Sequence, residues 1–122
     1  MEKIQSGNLN KKNNTRGWCI GHFMENPPFK NTDFEVKWGK HPKGEKKSHP
    51  AKNKTAKTLS ILIQGKFALQ FKDKELVMES VGDYVFWDAN IPHSWTTLED
   101  AIILTIRWPS VPNDQIPEQT HL

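Results

Sequence analysis

The chain has 122 residues, 17 lysines and arginines against 14 aspartates and glutamates, and a formal net charge of +3 at pH 7. This length suits one domain with one core, and a single Cys19 excludes an internal disulfide. No run approaches the roughly 20 apolar residues that span a bilayer, and residues 1–14 lack the apolar segment of a secretory signal. We therefore expect a reduced, cytoplasmic protein with no membrane partner.

Composition divides the chain into three segments. Residues 1–14 are rich in Asn, Lys and Gln and predict a flexible N-terminal arm. Residues 15–108 carry the aromatic and β-branched runs and predict one β-barrel domain. Residues 109–122 contain three prolines and predict an extended C-terminal tail.

Short β-type runs separated by turn residues fill the middle segment. Residues 16–23 predict a first strand, and in residues 34–38 apolar and charged side chains alternate as in a half-buried strand. A polar segment follows at residues 40–54, for which we predict no regular element. Turns, one of them at residues 64–66, separate further runs. These lie at residues 59–63, 67–71, 76–78, 84–87, 93–97 and 101–108. This spacing is typical of an all-β sandwich or barrel.

The phase of the strand at residues 58–63 predicts which side chains face the core. Thr58, Ser60 and Leu62 should point inward, so that the two hydroxyls make the interior mildly polar. Leu59, Ile61 and Ile63 should then form an apolar outer stripe, which must be covered. A second sheet, the N-terminal arm or a second subunit could cover it, and we predict a homodimer.

Residues 82–95 carry the most informative motif. Gly82-Asp83 opens a strand, and a tight Asn90-Ile91-Pro92 corner is followed at once by His93. This order resembles the second motif of the cupin superfamily, and residues 62–67 resemble the strand and glycine turn that close the first motif. The resemblance covers residues 34–108 and implies a cupin-type double-stranded β-helix, the RmlC-like jelly-roll barrel. Residues 36–45 are similar to a group of small uncharacterised bacterial cupins.

The same resemblance implies a degenerate metal site. Cupins normally bind divalent iron, manganese, nickel or zinc through two histidines spaced by one residue, a glutamate, and the second-motif histidine, which leaves positions open for substrate. Here Lys57 or Thr58 occupies the place of the glutamate, and His49 is followed by Pro50 and Ala51 instead of a second histidine. A bound metal would therefore be held by His93, His49 and His41, the last with Glu45 at a histidine-x-x-x-glutamate spacing.

His93 and Trp95 lie two apart on a predicted strand and should face the same side. One interpretation is a ligand pocket. The other is that Trp95 fills the barrel while His93 bonds a backbone carbonyl. The predicted ligand-binding residues are His93, Trp95, Thr58, Ser60 and His49.

Seven lysines against one glutamate in residues 40–57 form either a solvated loop or an anion-attracting one. The loop has no aromatic residue for base stacking and arginine is scarce, which argues against nucleic acid as a partner. The sequence thus favours a cupin that binds a small polar or anionic ligand, with no assigned catalytic activity. The alternative is a metal-dependent oxygenase or isomerase using His93, His49 and an atypical third ligand.

Overall fold

The computed structural model describes residues 4–11 and 16–117, and in this part of the chain the architecture is all β. The rest of the predicted arm and tail lies outside the described residues. A single 3₁₀ turn, Leu9–Lys11, precedes the strands, and no described helix is long and apolar enough to cross a membrane. The eight strands are β1 (Trp18–Ile20), β2 (Glu35–His41), β3 (Ala51–Asn53), β4 (Lys57–Phe71), β5 (Lys74–Met78), β6 (Tyr84–Trp87), β7 (Ser94–Trp108) and β8 (Gln115–Pro117).

Two long strands organise the barrel. β4 and β7 each have 15 residues and pair antiparallel along most of their length. The first half of β4 also pairs with β6, and its second half pairs with β5. The main sheet therefore runs β1-β2-β7-β4-β5 with β6 beside β4, while β3 and β8 form a separate two-stranded sheet.

A bulged corner at Gly65 lets β4 serve both halves of the barrel. The β4–β7 register shifts at three places between Leu62 and Phe67, which bends the strand without ending it. Gly65 has φ of 91°, and a Cβ there would lie 2.0 Å from the Asp100 carbonyl oxygen. The prediction of a turn at residues 64–66 is therefore wrong, because a glycine bulge bends the strand while the ladder continues on both sides.

Burial along β4 confirms its predicted phase. Thr58, Ser60 and Leu62 are buried, whereas the intervening Leu59 and Ile61 are partly exposed on the outer face. The inward side chains of β4 pack with those of β5, β6 and β7. The resulting core consists of Leu62, Phe67, Leu69, Met78, Val85, Trp87, Ala101 and Ile103.

The segment after Trp108 returns to the barrel. β8 pairs with β3, and the Asp114 carboxylate accepts hydrogen bonds from the backbone N–H groups of Thr55 and Ala56 at 2.9 and 3.0 Å. The Asn53 side-chain amide donates to the same carboxylate at 3.2 Å. Residues 109–117 are thus held against residues 51–56, where the proline content alone had predicted an extended tail.

A buried polar network joins the start of the barrel to its end. Ser110 Oγ donates to Glu35 Oε1 at 2.8 Å and accepts from the His22 backbone N–H at 3.0 Å. His22 Nδ1 lies 2.7 Å from the same hydroxyl, whose one proton is already donated, so Nδ1 carries the hydrogen. Arg107 Nη1 lies 3.5 Å from Glu35 Oε2. The network thereby positions Arg107 at the end of β7, facing the interior.

Candidate ligand-binding site

The inner faces of β2, β4, β6 and β7 surround a cavity of about 200 Å³. Phe67, Trp87 and Trp95 supply its aromatic wall. A larger and more open cavity of about 580 Å³ lies outside it, and Lys37, His41 and Trp95 line both. We call the first the inner cavity and the second the vestibule. The shared lining residues show that the two cavities adjoin.

His93 is held rigidly at the inner cavity. Its backbone forms two hydrogen bonds with Ala51, at 2.9 and 3.0 Å, and its Nδ1 lies 3.1 Å from the Ile91 carbonyl oxygen. A carbonyl only accepts, so Nδ1 carries the hydrogen and Nε2 is left as an acceptor. Burial lowers the pKa of His93 to about 4, and the charges of Arg107 and Lys47 act in the same direction. The imidazole is therefore neutral at pH 7. It both bonds a backbone carbonyl and lines a cavity, which unites the two interpretations of the sequence.

His41 forms a pair with Glu45 at the junction of the two cavities. Its Nδ1 lies 2.5 Å from Glu45 Oε1, and its ring packs 4.6 Å from that of Trp95. The turn after β2 makes this contact, since the Glu45 backbone N–H donates to the Pro42 carbonyl at 3.0 Å. Burial lowers the pKa of His41, while the hydrogen bond with Glu45 opposes that shift. With Nδ1 committed to the carboxylate, Nε2 is left without a hydrogen bond to any described residue.

Three cations converge on the inner cavity. Burial lowers the pKa of Lys37 to about 8, assisted by the charges of Arg107 and Lys47. Burial and the Arg107 charge also lower the pKa of Lys47. Arg107 is paired with Glu35, whereas Lys37 and Lys47 form no ion pair with any residue the structure describes. The lining of the inner cavity therefore holds three basic side chains and no carboxylate, in a setting of low dielectric.

No family model and no curated protein match the chain, but solved structures do. KdgF from Halomonas sp. is 18% identical with a TM-score of 0.62, over 68% of this chain and 74% of the other. An uncharacterised protein with a double-stranded β-helix domain from Klebsiella pneumoniae is 14% identical with a TM-score of 0.63, over 74% of each chain. A protein from Silicibacter pomeroyi, described as a sugar phosphate isomerase of the cupin superfamily, is 18% identical with a TM-score of 0.61. That match covers 72% of this chain and 58% of the isomerase.

The chain has the cupin fold. Identities this low establish the architecture and leave the activity open, because one fold hosts many functions. The prediction of an all-β, double-stranded β-helix is thus confirmed, as is the resemblance on which it rested. The bulged β4 and β7 are the strands that pass through both halves of this cupin barrel.

The cupin barrel brings together only some of the predicted site residues. His93, Trp95 and Ser60 line the inner cavity. Thr58 is fully buried, and its hydroxyl has no hydrogen-bond partner among the described residues, but it lies outside the cavity lining. His49 is exposed and outside both cavities. Its segment is fixed from both sides, because the Lys47 N–H donates to the Trp95 carbonyl and Ala51 bridges His93.

Lys37 was missed because β2 turns towards the barrel interior the face opposite to the one its alternation suggests. Phe34 is 41% exposed, whereas Glu35 and His41 are buried and Lys37 faces the cavity. The apolar side chains of this strand point to the outer face instead. The sequence did carry a signal for this face, because Lys37, Gly39 and His41 stand at every second position and therefore lie on one side of the strand. A Cβ on Gly39 would lie 2.9 Å from His41 Nε2, so the glycine makes room for the ring.

The donor groups of this barrel do not fit a divalent metal. Among the described residues, no group of three or more His, Cys, Asp or Glu side chains could hold one. His93 and His41 line the inner cavity, but Lys37, Lys47 and Arg107 surround them and would repel a divalent cation. Exposed His49 cannot complete the set. The metal-dependent alternative therefore lacks its ligands in this arrangement.

Proposed function

We propose that this cupin-fold protein binds a small organic anion, bearing a carboxylate or a phosphate, in the inner cavity. The convergence of Lys37, Lys47 and Arg107 carries the proposal, since only Arg107 has a carboxylate partner among the described residues. A bound anion would neutralise the remaining charge and accept hydrogen bonds from it. Hydrogen bonds to charged groups contribute about 1.5–3 kcal/mol each.

The rest of the cavity favours a ligand with a hydroxylated carbon skeleton. The rings of Phe67 and Trp95 stack with centroids 5.3 Å apart and offer a flat apolar wall. Nε2 of His93 is a neutral acceptor, which suits a ligand hydroxyl donor. Sugar acids and sugar phosphates combine these features. The description of the Silicibacter pomeroyi protein as a sugar phosphate isomerase supports the choice of such probes.

Calorimetric titration with glucuronate, glucose 6-phosphate and neutral glucose tests the proposal, with the two anions separating carboxylate from phosphate. We expect at least one anion to bind and to raise the melting temperature, and glucose to do neither. Lys47→Met should weaken anion binding roughly tenfold or more, because one charged hydrogen bond is lost. Lys43→Met is the matched control, since Lys43 is exposed and lines neither cavity.

Two results would contradict this proposal. One is equal binding of glucose and its anionic counterparts, because the cations would then have no part in recognition. The other is an equal loss of affinity in the Lys43 and Lys47 variants, since only Lys47 lines the inner cavity.

A cytoplasmic location remains our proposal, supported by the single Cys19 in the sequence.

We also propose that the protein forms a homodimer through the outer face of β4, β6 and β7. Phe86 and Trp108 stack there with centroids 6.0 Å apart, and Tyr84 is 69% exposed. The described part of the arm lies at the β2 end of this face, where Asn10 Oδ1 accepts a hydrogen bond from the Trp38 indole at 3.0 Å. The β6 end is left apolar, and a second copy can cover it with its own identical patch.

Sedimentation velocity tests the homodimer. We expect the wild-type chain to sediment as a dimer at micromolar concentration and Phe86→Glu to sediment as a monomer, because a charge would be buried at the interface. Val77→Glu is the control, since Val77 is comparably exposed but lies on β5, outside the three strands of the proposed interface. A wild-type chain that is only monomeric would remove the proposal, and so would an equal effect of the two glutamates.

A further inference from the structure

We propose that the Lys37 amine forms a covalent imine with the carbonyl group of an anionic substrate such as a 2-oxo acid. This inference rests on the proposed function, since the anion must first bind beside Lys47 and Arg107. It adds an activity that anion binding alone does not require. A 2-oxo acid suits the site because its carboxylate and its carbonyl are adjacent, so one end can bind the cations while the other meets the amine.

Lys37 lies where the vestibule meets the inner cavity. It lies in the middle of β2, opposite Trp18 on one side and Thr105 on the other. Its side chain lines both the vestibule and the inner cavity. Lys37 therefore adjoins both cavities, whereas Arg107 lines the inner cavity alone.

The surroundings of the Lys37 amine favour its neutral form. No described carboxylate forms an ion pair with Lys37, and its Nζ lies 5.8 Å from the centroid of the Trp18 ring. Burial beside two other cations disfavours the ammonium form, which brings the pKa of Lys37 to about 8. Roughly one tenth of such an amine is neutral at pH 7, against less than one thousandth of an ordinary lysine. The neutral amine is the nucleophile that attacks carbonyl groups.

The reaction balances with groups in the cavity and without an oxidant or a reductant. The Nζ lone pair adds to the carbonyl carbon and forms a C–N bond, while the carbonyl π electrons move to oxygen, which takes up a proton. The nitrogen loses a proton and becomes a neutral carbinolamine nitrogen. The hydroxyl takes up a second proton and leaves as water while the nitrogen lone pair forms the C=N bond, and the iminium nitrogen then returns its remaining proton to the group that supplied the second one. His41 lines the same two cavities as Lys37, and we assign it the transfer of these protons. Lys47 and Arg107 hold the carboxylate throughout.

Borohydride trapping with glyoxylate or pyruvate tests the imine. Hydride reduces the C=N bond to a stable secondary amine, which intact-protein mass spectrometry detects and peptide mapping locates. We expect one adduct per chain, on Lys37. Lys37→Arg should abolish the adduct while keeping the positive charge, and Lys43→Arg should leave it unchanged, because Lys43 is exposed outside the cavities.

Lactate separates failure of this inference from failure of the proposed function, because it is an anion of similar size without a carbonyl to attack. Lactate binding by the wild type and by Lys37→Arg, together with an adduct that only the former gives, supports both. Intact lactate binding with no adduct, or with adducts spread over exposed lysines or centred on Lys47, overturns the imine and leaves anion binding standing. A wild type that binds no anion contradicts the proposed function itself.

Discussion

Gly65→Ala is expected to lower the free energy of unfolding by about 4 kcal/mol, the sum of a strained backbone and an overpacked contact. Gly65 has φ of 91°, a conformation that L side chains rarely adopt. The new Cβ would also lie 2.0 Å from the Asp100 carbonyl oxygen and 2.7 Å from the Ala101 Cα, both backbone atoms of β7. Because neither can rotate away, β4 and β7 must separate at the corner. Urea denaturation followed by tryptophan fluorescence measures the loss.

Gly82→Ala is the matched control for this prediction. Gly82 has φ of 95°, but no atom lies within 4 Å of the position its Cβ would take. The Gly82→Ala variant should therefore lose only the part of the free energy of unfolding that comes from the strained backbone, about 1–2 kcal/mol. Equal losses in the two variants would show that the corner tolerates a side chain. The close β4–β7 contact would then not be the feature that requires glycine.

Acid should destabilise the protein through His93 by about 3 kcal/mol between pH 6.5 and pH 4. The pKa of His93 falls from 6.5 to about 4 on folding, chiefly because the imidazole is buried. Below pH 6.5 the unfolded chain takes up the proton while the folded chain does not, so stability declines as the pH falls. The decline from this residue ends near pH 4, where the folded imidazole is also protonated. Urea denaturation at a series of pH values gives the profile.

His93→Gln isolates this contribution, because glutamine is neutral at every pH in the series. Other groups with lowered pKa values, such as His41 and Asp114, remain in the variant and serve as the background. The difference in the free energy of unfolding between the wild type and the variant should grow as the pH falls from 6.5 to 4. Above pH 6.5 that difference should be constant. Parallel profiles would mean that the folded protein protonates His93 as readily as the unfolded chain does.

The local pattern predicted the barrel well. Residues 82–95 combine a glycine start, a proline corner and a histidine, and all three act within a short stretch of backbone, so the sequence alone carries the information. The structure places His93 at a cavity beside Trp95. The period-two alternation likewise gave the inward phase of Ser60 and Leu62. The corner at Gly65 was misassigned because turns and strand bulges both use a glycine with positive φ.

The lysine-rich segment shows why the site was harder to predict than the fold. Residues 40–57 hold seven lysines that look alike in the sequence. In the structure Lys47 lines the inner cavity, and Lys40 and Lys46 line the vestibule. What distinguishes Lys47 is the hydrogen bond from its backbone N–H to the Trp95 carbonyl, which fixes it beside β7. Such a contact between residues far apart along the chain leaves no local pattern to read.

The sequence by itself determined most strands of the main sheet, the bend at the second motif and the inward direction of His93, since strand phase and turn chemistry are set by neighbouring residues. It did not predict β3 or β8, whose pairing joins two segments far apart along the chain. Only the tertiary structure decided that Lys37 and Arg107, 70 positions apart in the sequence, share one cavity. The antiparallel register of β2 and β7 brings these residues together, because it places Glu35 opposite Arg107 and Lys37 opposite Thr105. A buried cluster of like charges opposes folding locally, so it is held in place by the long-range pairing of the sheet.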